Sequence, residues 1–499
     1  MNSVLDQNVR SLQQLKSEIF KDELEELLKT RRVALLLTDD SPSHAVTLRT
    51  AANLLSRLSF HVGIDGDTVG VDQALEEARR FEFDKVHRAD REKYHLTIAI
   101  GEEPLGGDLH AYASGWNIHI TTGIGREVNV KPSNALCGAM LGAIVASESL
   151  NRTIGPTLGK IKFQESIYIS LLDYSSNECD LPADLPTVRI PDVTLVGCGA
   201  VGNAFIYSLA AIPGITGRIN IIDPDWFTKT NSHRYMLAKL DESESPRVYK
   251  TSRAKEFLAH HNGLEVLGYE KDFEQYLSQD SLDRRVRLLI SAVDSHAKRR
   301  EIGRQTPQQV LNASTGHFTL AVSTHYEAYA ATQEPCLGCI YPPGDAEQAR
   351  YALIAQETGL PVSEVQALDN VNGKMTRELL VGISDFRKEP LERYVEFEGQ
   401  PFDSFYQHGI CGGTQVQTAT GQADIPLAPV SAAAGILLAN ELVKKFSPSL
   451  VQYSLDNFLQ MDMLNLSSHW FLQKINARLD CDCQRSVYQR RFSQKYKHV

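Results

Sequence analysis

A glycine-rich turn is the part of this 499-residue sequence whose spacing most clearly predicts chemistry. Gly197, Gly199 and Gly202 separate the apolar run 193–196, an expected strand, from an expected helix. Glycines in this pattern permit a tight turn, close approach of the backbone to phosphates and close packing of helix on strand, and the N–H groups at the helix start attract an anion. The turn therefore predicts a nucleotide site without identifying the nucleotide.

Acidic residues follow the next expected strands at the same end. Asp223 ends the apolar run 219–222, where an acid would lie near a ribose hydroxyl, and Asp294 follows the run 288–292. Parallel strands place ligands at their carboxyl ends, so both acids are expected at the binding edge. Lys250 lies in the basic segment 247–255, so a role on phosphates and a place on a solvated helix face are both open.

Four cysteines form a second constellation, Cys336 with Cys339 and Cys481 with Cys483. Two cysteine pairs far apart in sequence supply the four thiolates that structural zinc prefers. Four thiolates leave no open position on the metal, so the spacing favours a structural zinc site over a catalytic one. The alternative is a set of buried thiols without a metal.

Composition excludes several other classes of function. The formal net charge is −11, which argues against nonspecific binding to nucleic acid or anionic membranes, because both require a positive surface. The amino terminus shows no apolar signal core, and the longest apolar runs are too short to span a bilayer. We therefore expect a cytoplasmic protein with neither nucleic-acid nor membrane partners.

The positioning elements alternate between strands and helices, which predicts an α/β fold with parallel sheets. In the first half, strands are expected at 33–37, 97–100 and 118–121, and helices at 7–29, 44–58 and 135–149. Where a glycine turn should follow the first strand, residues 38–42 read Thr-Asp-Asp-Ser-Pro. We expect this half not to bind nucleotide.

A weak internal repeat supports two related halves. Segments 138–150 and 431–443 align without gaps. The matched pairs are Ala139 with Ala432, Gly142 with Gly435, Ala146 with Ala439 and Glu148 with Glu441.

The residues after Asp223 resemble the ThiF/MoeB-like adenylyltransferases, which include the ubiquitin-activating enzymes. Segment 230–235, Thr-Asn-Ser-His-Arg-Tyr, is similar to the family element S-N-x-x-R-Q, with Thr in place of Ser and Tyr in place of Gln. Lys250 lies twelve residues before Asn262-Gly263, where the family has Asn-Pro, and 293–299 resembles T-D-N-x-x-x-R. The resemblance covers roughly 186–343 and 425–483, with a degenerate echo in 30–150.

This resemblance implies two Rossmann-like ThiF-type adenylation folds, the first inactive and the second active, that use ATP, Mg²⁺ and Zn²⁺. It implies that Asp223 holds the ribose, that Asn231, Arg234 and Lys250 neutralise the phosphates, and that Asp294 binds magnesium. The segment 334–339 looks like the family's zinc knuckle, although the second cysteine pair is C-x-C instead of C-x-x-C. The family also takes an arginine from the partner half, for which Arg31 and Arg32 are equal candidates.

A helical insert carries the remaining candidate, Cys411, flanked by Gly409, Gly412 and Gly413. Ubiquitin-activating enzymes bear their thioester-forming cysteine in such an insert, and a thiolate suits covalent catalysis at neutral pH. The alternative is a loop thiol without function.

The expected domain organisation has six parts. They are an inactive adenylation-like domain (1–160), a linker (161–185), the first part of the active domain (186–343), the insert (344–424), the second part of the active domain with the knuckle (425–483) and a basic tail (484–499). A solvated tail is favoured over a docking tail.

The function that the resemblance implies is activation of a ubiquitin-like protein. The enzyme would adenylate its C-terminus with ATP, form a thioester on Cys411 and pass it to a conjugating enzyme, as in bacterial ubiquitination-like (Bil) operons. The alternatives are a sulfur-carrier adenylyltransferase of thiamine or molybdopterin synthesis without an obligatory thioester, an NAD-dependent oxidoreductase, and a scaffold that keeps nucleotide. Two halves would form a pseudo-dimer within the chain, and a further homodimer is equally compatible with the sequence.

Overall fold

The computed structural model describes most of the chain in two α/β halves and an insert. The described residues are 3–13, 21–90, 93–122, 130–158, 164–175, 181, 183, 185, 187–240, 247–278, 285–316, 318–342, 345–370, 373–406, 410, 417–418, 421–422, 426–464, 466 and 471–496.

The first half contains five helices and seven strands among its described residues. They are α1 (Ser3–Gln13), α2 (Lys21–Thr30), β1 (Arg32–Leu37), α3 (Pro42–Arg57), β2 (His61–Asp65), α4 (Val69–Arg80), β3 (Val86–Arg88), β4 (Leu96–Ile100), β5 (Leu109–Ser114), β6 (Asn117–Thr122), α5 (Ala135–Leu158) and β7 (Ser166–Ser170). Lys21 Nζ of α2 lies 2.5 Å from Asp6 of α1, whereas fifteen residues of one helix span about 22 Å. The apolar pattern that predicts one helix over 7–29 therefore belongs to two helices.

The second half begins with the glycine-turn unit and resumes after the insert. Its first part contains β8 (Arg189–Val196), α6 (Ala200–Ala210), β9 (Thr216–Ile222), α7 (Lys250–Leu258), β10 (Leu264–Tyr269), α8 (Phe273–Ser278), β11 (Leu288–Ser291), α9 (His296–Arg304), β12 (Gln309–Thr315), β13 (Thr319–Tyr326) and α10 (Leu337–Ile340). After the insert come α15 (Ala428–Phe446), β16 (Phe458–Asp462), β17 (Phe471–Gln473) and α16 (Ser486–Tyr496).

The two sheets have matching strand orders, β3-β2-β1-β4-β5-β6-β7 and β10-β9-β8-β11-β12-β13-β16-β17. In each sheet the strands from the first edge through β5 or β12 are parallel and the later ones are antiparallel. This arrangement confirms the prediction of an α/β fold with two parallel-dominated sheets.

The aligned helices α5 and α15 pack against each other where the halves meet, in one continuous core. Each helix donates a hydrogen bond to the end of a strand in the other half. Ser147 of α5 donates to the carbonyl of Met463 after β16, and Asn440 of α15 donates to the carbonyl of Leu171 after β7. The sequence repeat therefore corresponds to a structural pseudo-twofold relation.

The insert has an apolar core of its own, which includes Tyr351, Ile383, Tyr394 and Phe405. Its elements are α11 (Asp345–Thr358), α12 (Val362–Asn370), α13 (Arg377–Arg387), α14 (Phe402–Phe405), β14 (Gln417–Thr418) and β15 (Gly421–Gln422). A separate core is what a cap or subdomain requires.

The segment after Cys483 differs from the expected solvated tail. It forms α16, whose Phe492 and Lys495 are buried, and Lys495 donates to the carbonyl of Gln305 at 3.0 Å. Its basic residues alternate with aromatic ones that pack near the knuckle, a pattern that charge counting alone does not reveal. None of the helices in the described part of the chain is long and apolar enough to cross a membrane.

Gly435 predicts a strong packing effect at the contact of α15 with α6. A Cβ added there would lie 2.5 Å from the carbonyl oxygen of Val201 and 2.6 Å from the nitrogen of Phe205. We expect Gly435→Ala to destabilise the fold by about 1–3 kcal/mol, because overpacking forces the backbones apart. Gly382→Ala is the matched control, since its added Cβ meets nothing within 4 Å. Thermal denaturation checks this, and equal melting temperatures for the two variants would contradict it.

Candidate functional site

The three glycines of the turn have three distinct geometries. Gly197 has a backbone φ of +91°, which residues with a Cβ rarely adopt. An added Cβ on Gly202 would lie 2.2 Å from the carbonyl oxygen of Gly197, whereas one on Gly199 would meet only the Tyr235 hydroxyl, at 3.5 Å. The turn is therefore tight, packed on its helix side and open at Gly199, where α6 begins. These are the properties that let phosphates approach a helix N-terminus.

Asp223 and Lys250 form a buried pair beside this turn. The Asp223 carboxylate accepts hydrogen bonds from the N–H groups of Cys198 at 2.6 Å and Asp225 at 2.9 Å. Lys250 Nζ lies 3.6 Å from Asp223 and 2.9 Å from Asp225. Because Lys250 is 4% exposed, it does not lie on a solvated helix face.

Burial and charge act in opposite directions on this pair. Burial raises the pKa of Asp223, and the Lys250 ammonium opposes that shift. Burial lowers the pKa of Lys250, but Tyr235, Asp223 and Asp225 outweigh it and raise that pKa above its ordinary value. Lys250 is therefore a fixed positive charge next to the turn. The neighbouring Asp225 is a partner that the sequence reasoning missed, although the Asp-Pro-Asp spacing contains it.

Asn231 and Arg234 lie on the loop after β9. Asn231 ends a short 3-10 turn, Lys229–Asn231, and its side-chain oxygen accepts a hydrogen bond from Thr228 Oγ1 at 2.8 Å. Arg234 Nη1 lies 3.0 Å from Nε2 of the buried His233, and its guanidinium stands over the Tyr235 ring at 5.8 Å. Among the described residues, no carboxylate lies within salt-bridge distance of Arg234, so its charge is available to an anion.

Asp294 lies just past β11, the strand paired with β8. Its side chain is exposed, and Lys298 Nζ lies 3.7 Å away. The positive charges of Lys298, Arg299 and Lys250 lower the pKa of Asp294. Arg299 itself is buried and donates to the carbonyls of Val293 and Ala313, so it braces the loop that carries Asp294.

The corresponding turn of the first half is closed by its own carboxylate. Asp39 accepts hydrogen bonds from the N–H groups of Ser41 at 2.8 Å and Glu102 at 2.9 Å, and from His44 at 2.9 Å. Helix α3 begins with Pro42, which has no N–H to donate. An internal anion thus takes the donors that a phosphate would need.

Basic residues of the first half lie in helix α1 and at the start of strand β1. Arg31 and Arg32 precede or begin β1, and Arg31 Nε is buried with no hydrogen-bond partner among the described residues. Helix α1 packs against the turn Lys229–Asn231 and carries Arg10, paired with Asp6 at 2.8 Å. The sequence did not predict Arg10. Only the packing of α1 against this turn makes Arg10 a candidate for the arginine that the first half contributes.

The four cysteines of the two pairs converge at one point. Their sulfurs all lie within 4.8 Å of one another, with distances of 3.4 Å from Cys336 to Cys481, 3.6 Å from Cys339 to Cys483 and 3.9 Å from Cys336 to Cys339. A tetrahedron with metal–sulfur bonds of about 2.3 Å has edges of about 3.8 Å. Four thiols with this spacing fit a closed metal site.

Hydrogen-bond donors beside the cysteines are also compatible with negatively charged thiolates. The N–H of Arg478 points at Cys339 Sγ over 3.3 Å, and Gln484 Nε2 lies 3.5 Å from Cys483 Sγ. Asp482, between the second pair, accepts a hydrogen bond from Arg304 at the end of α9 at 2.7 Å. The knuckle therefore braces the helix that follows Asp294.

Comparison with known proteins agrees with this geometry. The model of the ThiF family matches residues 184–484, more than half of the chain. The chain belongs to the ThiF family. This family implies an ATP-dependent adenylyltransferase of the E1/MoeB kind, which uses ATP and Mg²⁺ and acts on ubiquitin-like or sulfur-carrier proteins.

A relative of this ThiF-family chain covers more than the family match. An uncharacterized protein, y4jF, of Sinorhizobium fredii (strain NBRC 101917 / NGR234) is 28% identical over 469 residues, which are 88% of this chain and 86% of the relative. The similarity therefore extends into the first half.

Cys411 of the ThiF-family chain lies outside the described residues. Its neighbour Ile410 is described and belongs to the insert's apolar core. The nucleophile assignment stays a prediction.

Proposed function

We propose that this protein activates the C-terminal carboxylate of a ubiquitin-like protein by adenylation with ATP. The observation that carries the proposal is the set of charges around the open face of the glycine turn: Lys250 beside Asp223, Arg234 without a described carboxylate partner, and Asp294 at the next strand end. Positioning and charge neutralisation are the main means of catalysing displacement at phosphorus.

The reaction is an in-line displacement at the α-phosphorus of ATP. A carboxylate oxygen of the carrier protein forms a bond to phosphorus, and the bond to the bridging oxygen breaks, so that its electron pair leaves with pyrophosphate. Gly199 and the start of α6 would hold the phosphates, while Arg234 and Lys250 offset their charge. Asp223 would bind the ribose at the end of β9, and Asn231 would contact the phosphates.

Magnesium fits Asp294. Its carboxylate is exposed and held ionised by the positive charges around it, and hard divalent cations prefer such oxygen ligands. When bound, the ion neutralises charge on the leaving pyrophosphate. Arg299 keeps the Asp294 loop in place through the carbonyl of Val293.

The second and finer part of the proposal concerns Cys411. Its thiolate attacks the acyl carbon of the adenylate, a carbon–sulfur bond forms, and AMP leaves with the electron pair of the broken bond. The thioester then passes to a conjugating enzyme. The insert's own core and its place between the two parts of the active half support this assignment, which separates the protein from sulfur-carrier adenylyltransferases without an obligatory thioester.

The two halves have different proposed roles. We assign nucleotide binding to the second half alone, because Asp39 and Pro42 remove the phosphate donors of the first. Arg10 joins Arg31 and Arg32 as a candidate for the first-half arginine that reaches the nucleotide.

Carrier-dependent exchange of labelled pyrophosphate into ATP tests the proposal. A panel of purified ubiquitin-like and sulfur-carrier proteins should contain at least one that starts the exchange, and removal of its last residue should stop it. Tight binding of NAD⁺ with no binding of ATP would instead favour an oxidoreductase.

The metal at the knuckle is proposed to be zinc, since four thiolates in a closed tetrahedron favour it. We expect one zinc per chain by elemental analysis. Cys339→Ser should reduce that content toward zero and lower the melting temperature, because Cys339 is buried and is one of the four proposed ligands. Cys179→Ser removes a thiol of the expected linker (161–185) instead; this variant is the control and should keep the zinc. Equal metal content in both variants would contradict the site.

A further inference from the structure

Arg57 is a fully buried arginine at the end of α3 whose side chain reaches into the other half. Its guanidinium donates to three second-half carbonyls, those of Ser232 at 2.5 Å, Met236 at 3.1 Å and Ala238 at 2.7 Å. Its Nε donates to Asn53 Oδ1 at 2.8 Å. One first-half side chain thus spans both ends of a seven-residue loop segment.

That segment includes Arg234 and directly follows Asn231. Asn53 of α3 also donates to the carbonyl of Met236 at 3.3 Å. The second half adds two contacts of its own, from Leu237 N–H to Asn203 Oδ1 at 3.3 Å and from Arg253 to the carbonyl of Leu237 at 3.2 Å. Arg57 donates to the carbonyls of Ser232 and Ala238, the first and last residues of the segment. The conformation of both ends of the loop therefore depends on the first half.

The chemistry of this contact requires arginine. A buried cation is costly unless its donors are satisfied, and here carbonyls, an amide and the faces of Phe81 and Phe83 at 5.9 and 5.3 Å surround it. A planar fork with five donors can bond three carbonyls at once, whereas a lysine is a compact point charge. A helix end that needed only packing would be satisfied by an apolar residue.

We propose that Arg57 is a positioning residue, through which the first half holds Arg234 and Asn231 in the conformation that receives ATP. This inference rests on the proposed function, because it assigns the nucleotide to that loop. Asn8 of α1 donates to the Arg57 carbonyl at 2.6 Å, so the helix that packs on the 229–231 turn is tied to the same point. The first half thereby contributes to nucleotide binding without a nucleotide site.

The test combines hydrogen exchange with nucleotide titration on the full chain. Arg57→Met should speed amide exchange in 232–238 at least 10-fold and weaken binding of a non-hydrolysable ATP analogue with Mg²⁺ at least 10-fold. Arg57→Lys, which keeps the charge but not the fork, should give an intermediate effect and serves if the Met variant does not fold. Arg152→Met is the matched control, because the described hydrogen bonds of Arg152 go to Glu148 and Gln164 within the first half.

The outcomes separate the inference from the proposed function. Faster exchange together with weaker ATP binding in the Arg57 variants, and neither in Arg152→Met, supports the inference. Unchanged ATP binding in Arg57→Lys and Arg57→Met, beside normal binding by the wild type, overturns the inference alone. A wild type that binds no ATP overturns the proposed function and the positioning role with it. Equal effects of Arg152→Met also overturn the inference, because general destabilisation would then explain the loss.

Discussion

Asp294→Asn should lower carrier-dependent ATP–pyrophosphate exchange by about 100- to 1,000-fold, the cost typical of losing one charge-stabilising group at a reacting centre. The substitution removes the negative charge proposed to hold magnesium but keeps the shape of the side chain. Because the Asp294 side chain is exposed and its ion pair with Lys298 spans 3.7 Å, the melting temperature should not change. The measurement is the exchange rate at saturating ATP, beside a thermal melt of each variant.

Asp456→Asn is the matched control for this variant. Asp456 is also exposed and paired with a lysine, Lys474, at 3.3 Å. It is not one of the residues of the candidate site. It should exchange pyrophosphate at the wild-type rate. If Asp294→Asn matches Asp456→Asn, Asp294 has no part in the reaction.

Cys411→Ala should abolish the carrier adduct that thiol reagents release, while ATP–pyrophosphate exchange continues within about twofold of the wild-type rate. Adenylation precedes thioester formation in the proposed order, so removal of the nucleophile stops only the second step. Non-reducing gel electrophoresis after incubation with ATP and carrier, with and without a thiol, measures the adduct.

Cys179→Ala is the control, since it removes a thiol of the expected linker (161–185) and should leave the adduct intact. An adduct that persists in Cys411→Ala would place the nucleophile elsewhere. Loss of exchange together with the adduct would show that Cys411 acts before the thioester step. Either result contradicts the assignment.

The position of the candidate site in the second half could be predicted because its residues follow one another at short, regular spacings. Three glycines, Asp223 and Asp294 fall at strand ends that the apolar runs define, and the sheet brings those ends together. The two cysteine pairs are separated by more than 140 residues, yet only thiolate chemistry was needed to join them. The structure brings these four sulfurs to tetrahedral spacing.

What the sequence could not show depends on contacts between halves. Arg57 lies in an ordinary helical pattern, and its partners are backbone carbonyls near residue 235, which carry no sequence signal. The docking of α16 depends in the same way on backbone carbonyls, those of Gln305 and Val286, which accept hydrogen bonds from Lys495 and Tyr496. A count of charges predicts a solvated tail for that segment, because it treats Lys495 as a cation in solvent.

The division of one apolar pattern between α1 and α2 is another feature that the sequence did not show. Leucines at helical spacing continue through 7–29, but a period does not state whether one helix or two provide the apolar face. Both helices bury that face, through Leu12 in α1 and Leu24 and Leu28 in α2.

Calorimetric titration with ATP and Mg²⁺, with NAD⁺ as the competing nucleotide, tests the central claim most directly because it needs no carrier protein. The account predicts one ATP site per chain, much weaker binding of NAD⁺, and loss of the ATP site in Arg234→Gln. Two ATP sites per chain, or preference for NAD⁺, would contradict it.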